Sequence, residues 1–224
     1  GGDQIYVNTD VIVNNGGTLD LAGLSEGFDA LSGGGTVTSS SAGSPALTVG
    51  QNNGSSTFDG AIGNGAGTVG LVKTGAGTLT LGGANTFSGP AVVQAGTLAL
   101  TGSASIANSA TILLASATAV LDATARTDGA LNLAAGQTLA GVGVVRGTLN
   151  TAAGAQLAPG SSVGTLVVSN DVNVGGGTYL CEVTGPDATN ADLVAAAGAI
   201  AIAGGDLVPV FSGALTGPTD LGNT

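Results

Sequence analysis

Apolar positions alternate with small or polar ones in short runs along most of the chain. Thr78-Leu79-Thr80-Leu81 and Thr97-Leu98-Ala99-Leu100 show the pattern most clearly, and Ile5-Tyr6-Val7, Val11-Ile12-Val13 and Leu166-Val167-Val168 repeat it more loosely. A period of two is that of half-buried strands. The runs end at Gly-Gly, Asn-Gly or Ser-Gly pairs, which mark turns. No stretch carries a 3.6-residue apolar stripe between caps. Ala-rich residues 193–203 are the one helix candidate, but Gly198, Gly204, Gly205 and the alternation over 199–202 favour strands there too.

The strands belong to a repeat. A Gly-Thr-apolar phrase begins at Gly17, Gly35, Gly67, Gly77, Gly96, Gly147, Gly164 and Gly177, and the steps 17 to 35, 77 to 96 and 147 to 164 span 17 to 19 residues. Weaker copies, Ala119-Val120-Leu121-Asp122 and Gly129-Ala130-Leu131-Asn132-Leu133, fill the long gap. A fixed short period built from brief strands predicts an all-β solenoid, a parallel β-helix of about 18–20 residues per coil. Apolar residues then stack like on like inside, and Thr and Asn stack at equivalent turn positions. At that period the chain makes about a dozen coils, a rod on the order of 55 Å long. A β-sandwich has a similar strand pattern but larger inward residues, more aromatics and no coil period.

Composition agrees with a core of small repeated layers. Of 224 residues 42 are Gly, 43% are apolar and only 3% aromatic, and mean hydropathy is positive, so the glycine does not signal a disordered linker. Three basic and 14 acidic residues give a net charge of −11. That balance excludes nucleic acid, whose affinity rests on Lys and Arg, and disfavours anionic membrane surfaces. It fits an extracellular protein kept soluble by its acidity. The single cysteine, Cys181, allows no internal disulfide. The longest apolar runs, residues 110–121 and 193–203, fall short of the roughly 20 that a spanning helix needs. A Gly-Gly start without Met reads as a mature or excised fragment.

Residues 71–89, LVKTGAGTLTLGGANTFSG, followed by VVQAGTLAL over 92–100, closely resemble the autotransporter-associated β-strand repeat. Thr57-Phe58-Asp59-Gly60-Ala61-Ile62 resembles that family's lead-in. Residues 157–210, with Ala158-Pro159-Gly160-Ser161-Ser162-Val163-Gly164-Thr165-Leu166, Gly176-Gly177-Thr178-Tyr179 and Ala191-Asp192-Leu193-Val194, resemble the last coils of autotransporter passenger regions. The resemblance implies a right-handed parallel β-helix outside a bacterium with an outer membrane, with no catalytic residues to carry over. On this reading residues 1–224 form one continuous β-helix. Residues 1–56 are weakly matching N-terminal coils, 57–101 the best-matching repeat, 102–156 irregular coils, and 157–224 passenger-like coils that break off within a coil. No C-terminal membrane barrel is expected within these residues, since no segments of about ten alternating residues with aromatic girdles occur in them.

Chemistry finds little to work with. There is no histidine, which removes Ser-His-Asp triads and His metal sites. Gly160-Ser161-Ser162-Val163-Gly164 has the letters of a nucleophile elbow, but it lacks the His partner and the strand-to-helix setting. Gly65, Gly67 and Gly70 have dinucleotide spacing, but the following residues read as a strand and not a helix. The polar loop 187–192, with Asp187, Asn190 and Asp192, is read as solvated, a weak calcium site being the alternative. Arg126 lies between Asp122 and Asp128, the one local acid–base cluster, and is read as a surface ion pair at a turn ahead of a lyase site. Lys73 is expected to run along the outer face or to bond turn carbonyls. Cys181 is expected to share a face with Tyr179 and Val183 as a small buried residue, with a reactive thiol as the alternative.

The sequence therefore supports no catalytic, cofactor-binding or metal residues. The expected function is a non-enzymatic structural or adhesive β-solenoid of a bacterial extracellular or cell-surface protein, outer-membrane-anchored or secreted, whose partners are surface or matrix glycans. The first alternative is a self-associating fibre or matrix subunit whose copies stack end to end, because neither residues 1–6 nor the region after Pro209 shows an amphipathic cap. The second is a polysaccharide lyase or hydrolase. No nucleic acid and no membrane insertion are expected. Specific binding is expected in the irregular stretches 123–129 and 185–192.

Overall fold

The alternation in the Gly-Thr-Leu-x-Leu phrases is carried into space without change. Thr78 lies beside Thr97, Leu79 beside Leu98, Thr80 beside Ala99 and Leu81 beside Leu100, in parallel. All four leucines are buried, while Thr80 and Ala99 face outward and are half-buried. Like stacks on like because parallel coils bring equivalent residues side by side at the strand spacing of about 4.8 Å. Each fully buried leucine contributes roughly 1.5–3 kcal/mol of apolar transfer free energy.

A computed structural model describes residues 4–160, 163–184 and 191–211. Among these are 25 strands and no helix. The first coils carry three strands each: β1 (Asp10–Ile12), β2 (Thr18–Asp20) and β3 (Glu26–Phe28), then β4 (Ala30–Ser32), β5 (Thr36–Thr38) and β6 (Ala46–Val49), then β7 (Ser56–Phe58), β8 (Ala61–Ile62) and β9 (Gly70–Lys73). Two coils carry only two: β10 (Thr78–Leu81) with β11 (Ala91–Val93), and β12 (Gly96–Leu100) with β13 (Thr111–Leu114). Three return in β14 (Ala119–Asp122), β15 (Ala130–Leu133) and β16 (Thr138–Gly141), and in β17 (Val144–Arg146), β18 (Thr148–Thr151) and β19 (Gln156–Pro159). The last are β20 (Thr165–Val168), β21 (Val172–Val174), β22 (Thr178–Val183), β23 (Leu193–Ala196), β24 (Ile200–Ile202) and β25 (Asp206–Phe211). Residues 193–203 are thus strands, as their alternation predicts.

Equivalent strands of successive coils pair, three apart where a coil has three strands and two apart through the two-strand coils, and the solenoid has three faces. Face one is a nine-stranded sheet from β3 to β25, and face two a seven-stranded sheet from β7 to β23, preceded by the β1–β4 pair. Face three is split into β2-β5-β8 and β15-β18-β21-β24. All the strand pairs are parallel, and the sheets do not close into a barrel. Where face three is split, the described coils are joined by the isolated bridges Ala84–Ser105 and Gly102–Arg126 and by single hydrogen bonds such as Thr86 N–H to the Ile62 carbonyl, without a strand ladder. There the chain is pulled in too tightly for a strand. A Cβ on Gly83 would lie 1.8 Å from the Gly60 carbonyl oxygen, and Phe87 turns into the core.

The period differs from the expected 18–20 residues in part of the chain. Thr78 to Thr97 is 19 and Thr138 to Gln156 is 18, but Thr111 to Thr138 is 27 and Thr178 to Asp206 is 28. In the first case extra residues sit at a corner, in the turn 123–129, and in the second they fall between β22 and β23, so the stacked strands stay in register. The nine strands of face one therefore replace the expected dozen coils, and they make a rod on the order of 40 Å at the standard spacing.

One end also differs from expectation. Glu26 stands opposite Leu47, in an inward column, and is buried. Its carboxylate accepts the backbone N–H groups of Gln4 and Ile5 at 2.9–3.1 Å, and Ile5 packs against the core. The chain thus folds over its first coil. At the other end Ile200 and Ile202 sit opposite buried Val172 and Val174 yet are exposed.

Leu79→Asp or Leu98→Asp places an unpaired carboxylate in a dry column and is expected to cost about 3–5 kcal/mol. Thr80→Asp, outward on the same strand, should cost less than about 0.5 kcal/mol. Urea unfolding followed by circular dichroism measures both. A wild-type midpoint for Leu79→Asp would falsify the register.

Candidate functional site

The polar side chains that penetrate the solenoid gather at two corners, and each binds backbone of its own or a neighbouring coil. Between faces one and two, Asp29 Oδ1 accepts the N–H of Asn52 at 2.7 Å and of Gly54 at 2.8 Å. One coil on, Asn53 Oδ1 accepts the N–H of Ala76 at 2.8 Å. Lys73 follows. Its neighbours in register are Val49 and Val93, so it stands in an inward column and is fully buried. Its ammonium donates to the carbonyls of Thr74, Gly75 and Ala95. Of the two placements expected for Lys73, the turn-carbonyl one is observed and the outer-face one is not. Burial pushes its pKa below the ordinary lysine value, against the opposing pull of Asp29. Ser116 Oγ continues the line with a bond to the Gln94 carbonyl at 2.7 Å.

The corner between faces three and one is built the same way. Asn64 Oδ1 accepts the N–H groups of Val69 and Ser88, and its Nδ2 donates to Ser88 Oγ at 2.7 Å. Buried Ser109 donates to the Gly89 carbonyl, and buried Gln137 donates to the carbonyls of Ile106 and Ser109. Asn85, in the tight turn that splits face three, accepts the N–H of Ile62 and donates to the Gly83 carbonyl. These groups supply partners for backbone left unpaired at the turns. Each of these corner groups is thus engaged with backbone or with a neighbouring corner side chain.

The acid–base cluster read around Arg126 divides into two. Arg126 Nε donates to Asp128 Oδ1 at 3.1 Å, and its guanidinium also binds the Ala104 carbonyl. Asp122 instead stands opposite Arg146, 3.5 Å away, and its Oδ1 accepts from Thr124. The hydrogen bond from Arg126 lowers the Asp128 pKa to about 2. Asp128 also begins an outward ladder on face three. Asn132 donates to Asp128 at 2.7 Å, Asn150 to Asn132 at 2.7 Å and Asn173 to Asn150 at 2.8 Å. The signal for it, Leu-Asn-Leu, Leu-Asn-Thr and Val-Asn-Val at coil spacing, is present in the chain.

The other sequence candidates resolve one by one. Gly65 and Gly67 lie in the connection from β8 to β9, where Ala66 N–H bonds to the Ser39 carbonyl, and Gly70 opens the strand that follows, as expected. Ser162 lies outside the described residues, between strands β19 and β20. Asp187 and Asn190 also lie outside them. Asp192 is buried and accepts the N–H groups of Gly164 at 2.9 Å and Glu182 at 2.8 Å, so it ties the chain entering β20 to strand β22. Tyr179 donates to the Asp192 carbonyl, and burial raises its pKa. Cys181 is half-buried, with Sγ 3.6 Å from the same carbonyl. Among the described residues no group of three or more His, Cys, Asp or Glu is placed to hold a metal.

Two irregularities remain in the packing. Thr151 Oγ1 is buried without a hydrogen-bond partner, in an inward column between Leu133 and Val174. A cavity of about 370 Å³ opens at the last coils, lined by Leu157, Val172, Tyr179, Val194, Ile200 and Leu207 among others. It is the top of the core and carries almost no polar groups.

Residues 71–100 match the family model of the passenger-associated-transport-repeat. This segment is an autotransporter passenger repeat. It runs from β9 to the end of β12 and contains the inward Lys73, the tight Gly83 and the turn residues Asn85 and Phe87. The matched segment thus includes residues that close corners and bind one coil to the next. No curated protein and no solved structure matches the chain.

Lys73→Met keeps the volume and removes the donors, and is expected to cost about 1–3 kcal/mol. The folded-state pKa of Lys73 is lowered, so the unfolded chain binds more protons between that value and the ordinary one. Wild-type stability relative to Lys73→Met should therefore rise with pH across that alkaline window. A difference that does not change with pH overturns the buried ammonium. Thr151→Val should stabilise the fold by roughly 1 kcal/mol in the same unfolding assay, because it replaces an unpartnered hydroxyl with a methyl group.

Asp128 keeps its ion-pair contribution above the ordinary carboxylate value and loses it as pH falls through about 2. Arg126→Ala should move that titration up toward 3.8. Carboxyl NMR titration reads it directly, and an unmoved pKa counts against the pairing.

Proposed function

We propose that this segment is a non-enzymatic structural or adhesive β-solenoid in a bacterial extracellular or cell-surface protein, a passenger-like rod that spaces or displays other parts and contacts surface or matrix glycans. The observation that carries the reading is the passenger repeat itself. It is a structural repeat and not an enzyme family, and here its polar residues are engaged in bonds between coils. The acidic surface and the lack of histidine support the same reading. The repeat also favours a surface or secreted location. No helix of the described residues is long and apolar enough to cross a membrane.

A second reading has a specific observation in its favour. Val194, Ile200, Ile202 and Leu207 line an apolar layer at the last coils with no strand stacked on it among the described residues. Open solenoid ends of this kind invite end-to-end stacking into fibres or a matrix. A polysaccharide lyase or hydrolase has the least support, because Arg126 and Asp128 are held by each other and by Ala104.

Incubation of the purified segment with a panel of acidic polysaccharides is expected to give no depolymerisation, and glycan-array binding is expected to survive Arg126→Ala. Turnover that Arg126→Ala abolishes overturns the structural reading in favour of the enzyme. In electron micrographs, filaments that Ile202→Glu disperses would favour the fibre, and single rods at high concentration would count against it.

A further inference from the structure

Face one carries an outward row that the core does not need. Val72, Val92, Leu113, Ala140 and Ala158 stand side by side in register on five successive strands. Leu180 continues the alternation on β22, one residue past Tyr179, which pairs with Leu157. Each is half-buried, with its strand neighbours on both sides buried or at the lip of the core. Among the described residues no strand packs against the outer side of this sheet, since the principal strand contacts of face one run along the sheet or across the interior to face two.

The surroundings of the row are as informative as its members. From β6 to β19 no outward position on face one carries a charge. The one ionisable group in those six strands, Lys73, points inward, and the outward positions that flank the row in β13, β16 and β19 are Thr111, Thr138 and Gln156. Charges sit outward elsewhere, with Asp122 and Arg146 on face two and Asp128 where the face-three ladder begins. In a chain of net charge −11, this is the stretch on which two copies can meet without like charges opposed.

The row is also shaped to fit a reversed copy of itself. Bulky Val72, Val92 and Leu113 come first, followed by small Ala140 and Ala158, and Leu180 closes the row. A two-fold axis between Leu113 and Ala140 brings Leu113 onto the second copy's Ala140 and Val92 onto its Ala158, large against small, while Val72 meets Leu180, apolar on apolar, at the two ends of the contact. We propose that face one is a homotypic interface on which two copies of the chain pack sheet to sheet and antiparallel. The strip measures about 29 Å by about 13 Å, on the order of 400 Å² per copy. That is about half of what a standard interface takes from each partner. The pairing is therefore weak in solution and effective where many copies are held on one surface. It lies on the side of the rod, so it is independent of stacking at the ends.

Sedimentation velocity across a concentration series tests it, with the whole chain and the Cys181→Ser background throughout. Wild type is expected to shift from monomer toward dimer at high micromolar concentration. Leu113→Glu should remain monomeric at every concentration with an unchanged melting temperature, because residue 113 points outward. The pair Leu113→Cys and Ala140→Cys, mixed as two single variants and oxidised, should cross-link far more readily than Leu113→Cys with Thr80→Cys. A wild type that stays monomeric to millimolar concentration overturns the proposal. So does an association that survives Leu113→Glu and is lost in Ile202→Glu, which would assign it to the ends. Glycan binding that persists in monomeric Leu113→Glu separates this interface from the adhesive reading.

Discussion

The hydrogen bonds between one coil and the next govern the rest of this structure. Parallel strands can satisfy each other's backbone only when successive coils lie at one strand spacing and in register. That requirement fixes what may stand inside, since a residue that fits one layer must fit above and below its own kind. Leucine columns such as Leu79 on Leu98 on Leu121 meet it with one side-chain shape. The same requirement makes the corners difficult, because a turning chain presents carbonyl and N–H groups to the turn of the next coil and not to a strand.

The corners explain residues that would otherwise look functional. A buried carboxylate, a buried ammonium and a buried amide are the usual signs of a site. Asp29, Lys73 and Gln137 each answer a set of turn backbone groups that have no ladder partner. Lys73 reaches carbonyls on its own coil and on the next, which a shorter polar side chain could not do. The cost of desolvating the charge is offset by three acceptors, and the lowered pKa is the remainder of that cost. Chemistry at such a group would unfasten the rod.

With the interior and corners committed to stacking, function is left to the outside. The three faces differ there. Face two carries the Asp122–Arg146 pair, face three the amide ladder from Asp128 to Asn173, and face one an uncharged apolar row. A solenoid allows this because outward positions are free of the core, and a change in one column leaves the others in place.

Much of this was legible in the chain. Strand type, inward leucines and the parallel solenoid follow from period-two runs repeated at nearly fixed steps, because both signals are local. Even the inward direction of Lys73 is written in its position two residues after Leu71, although its charge argued for the surface. What only the tertiary structure decided depends on which coil lies against which. Arg126 and Asp122 are four residues apart in the chain, yet Asp122 takes Arg146 as its partner, 24 residues on, because the register puts them side by side. The number of coils was set by insertions at the corners, which a repeat period counts as turns of the helix and the stack does not. The carboxylate of Glu26 over the first coil and the exposure of Ile200 and Ile202, the last residues of their column among those described, depend on which layer lies outermost, which is decided only once the layers have been stacked.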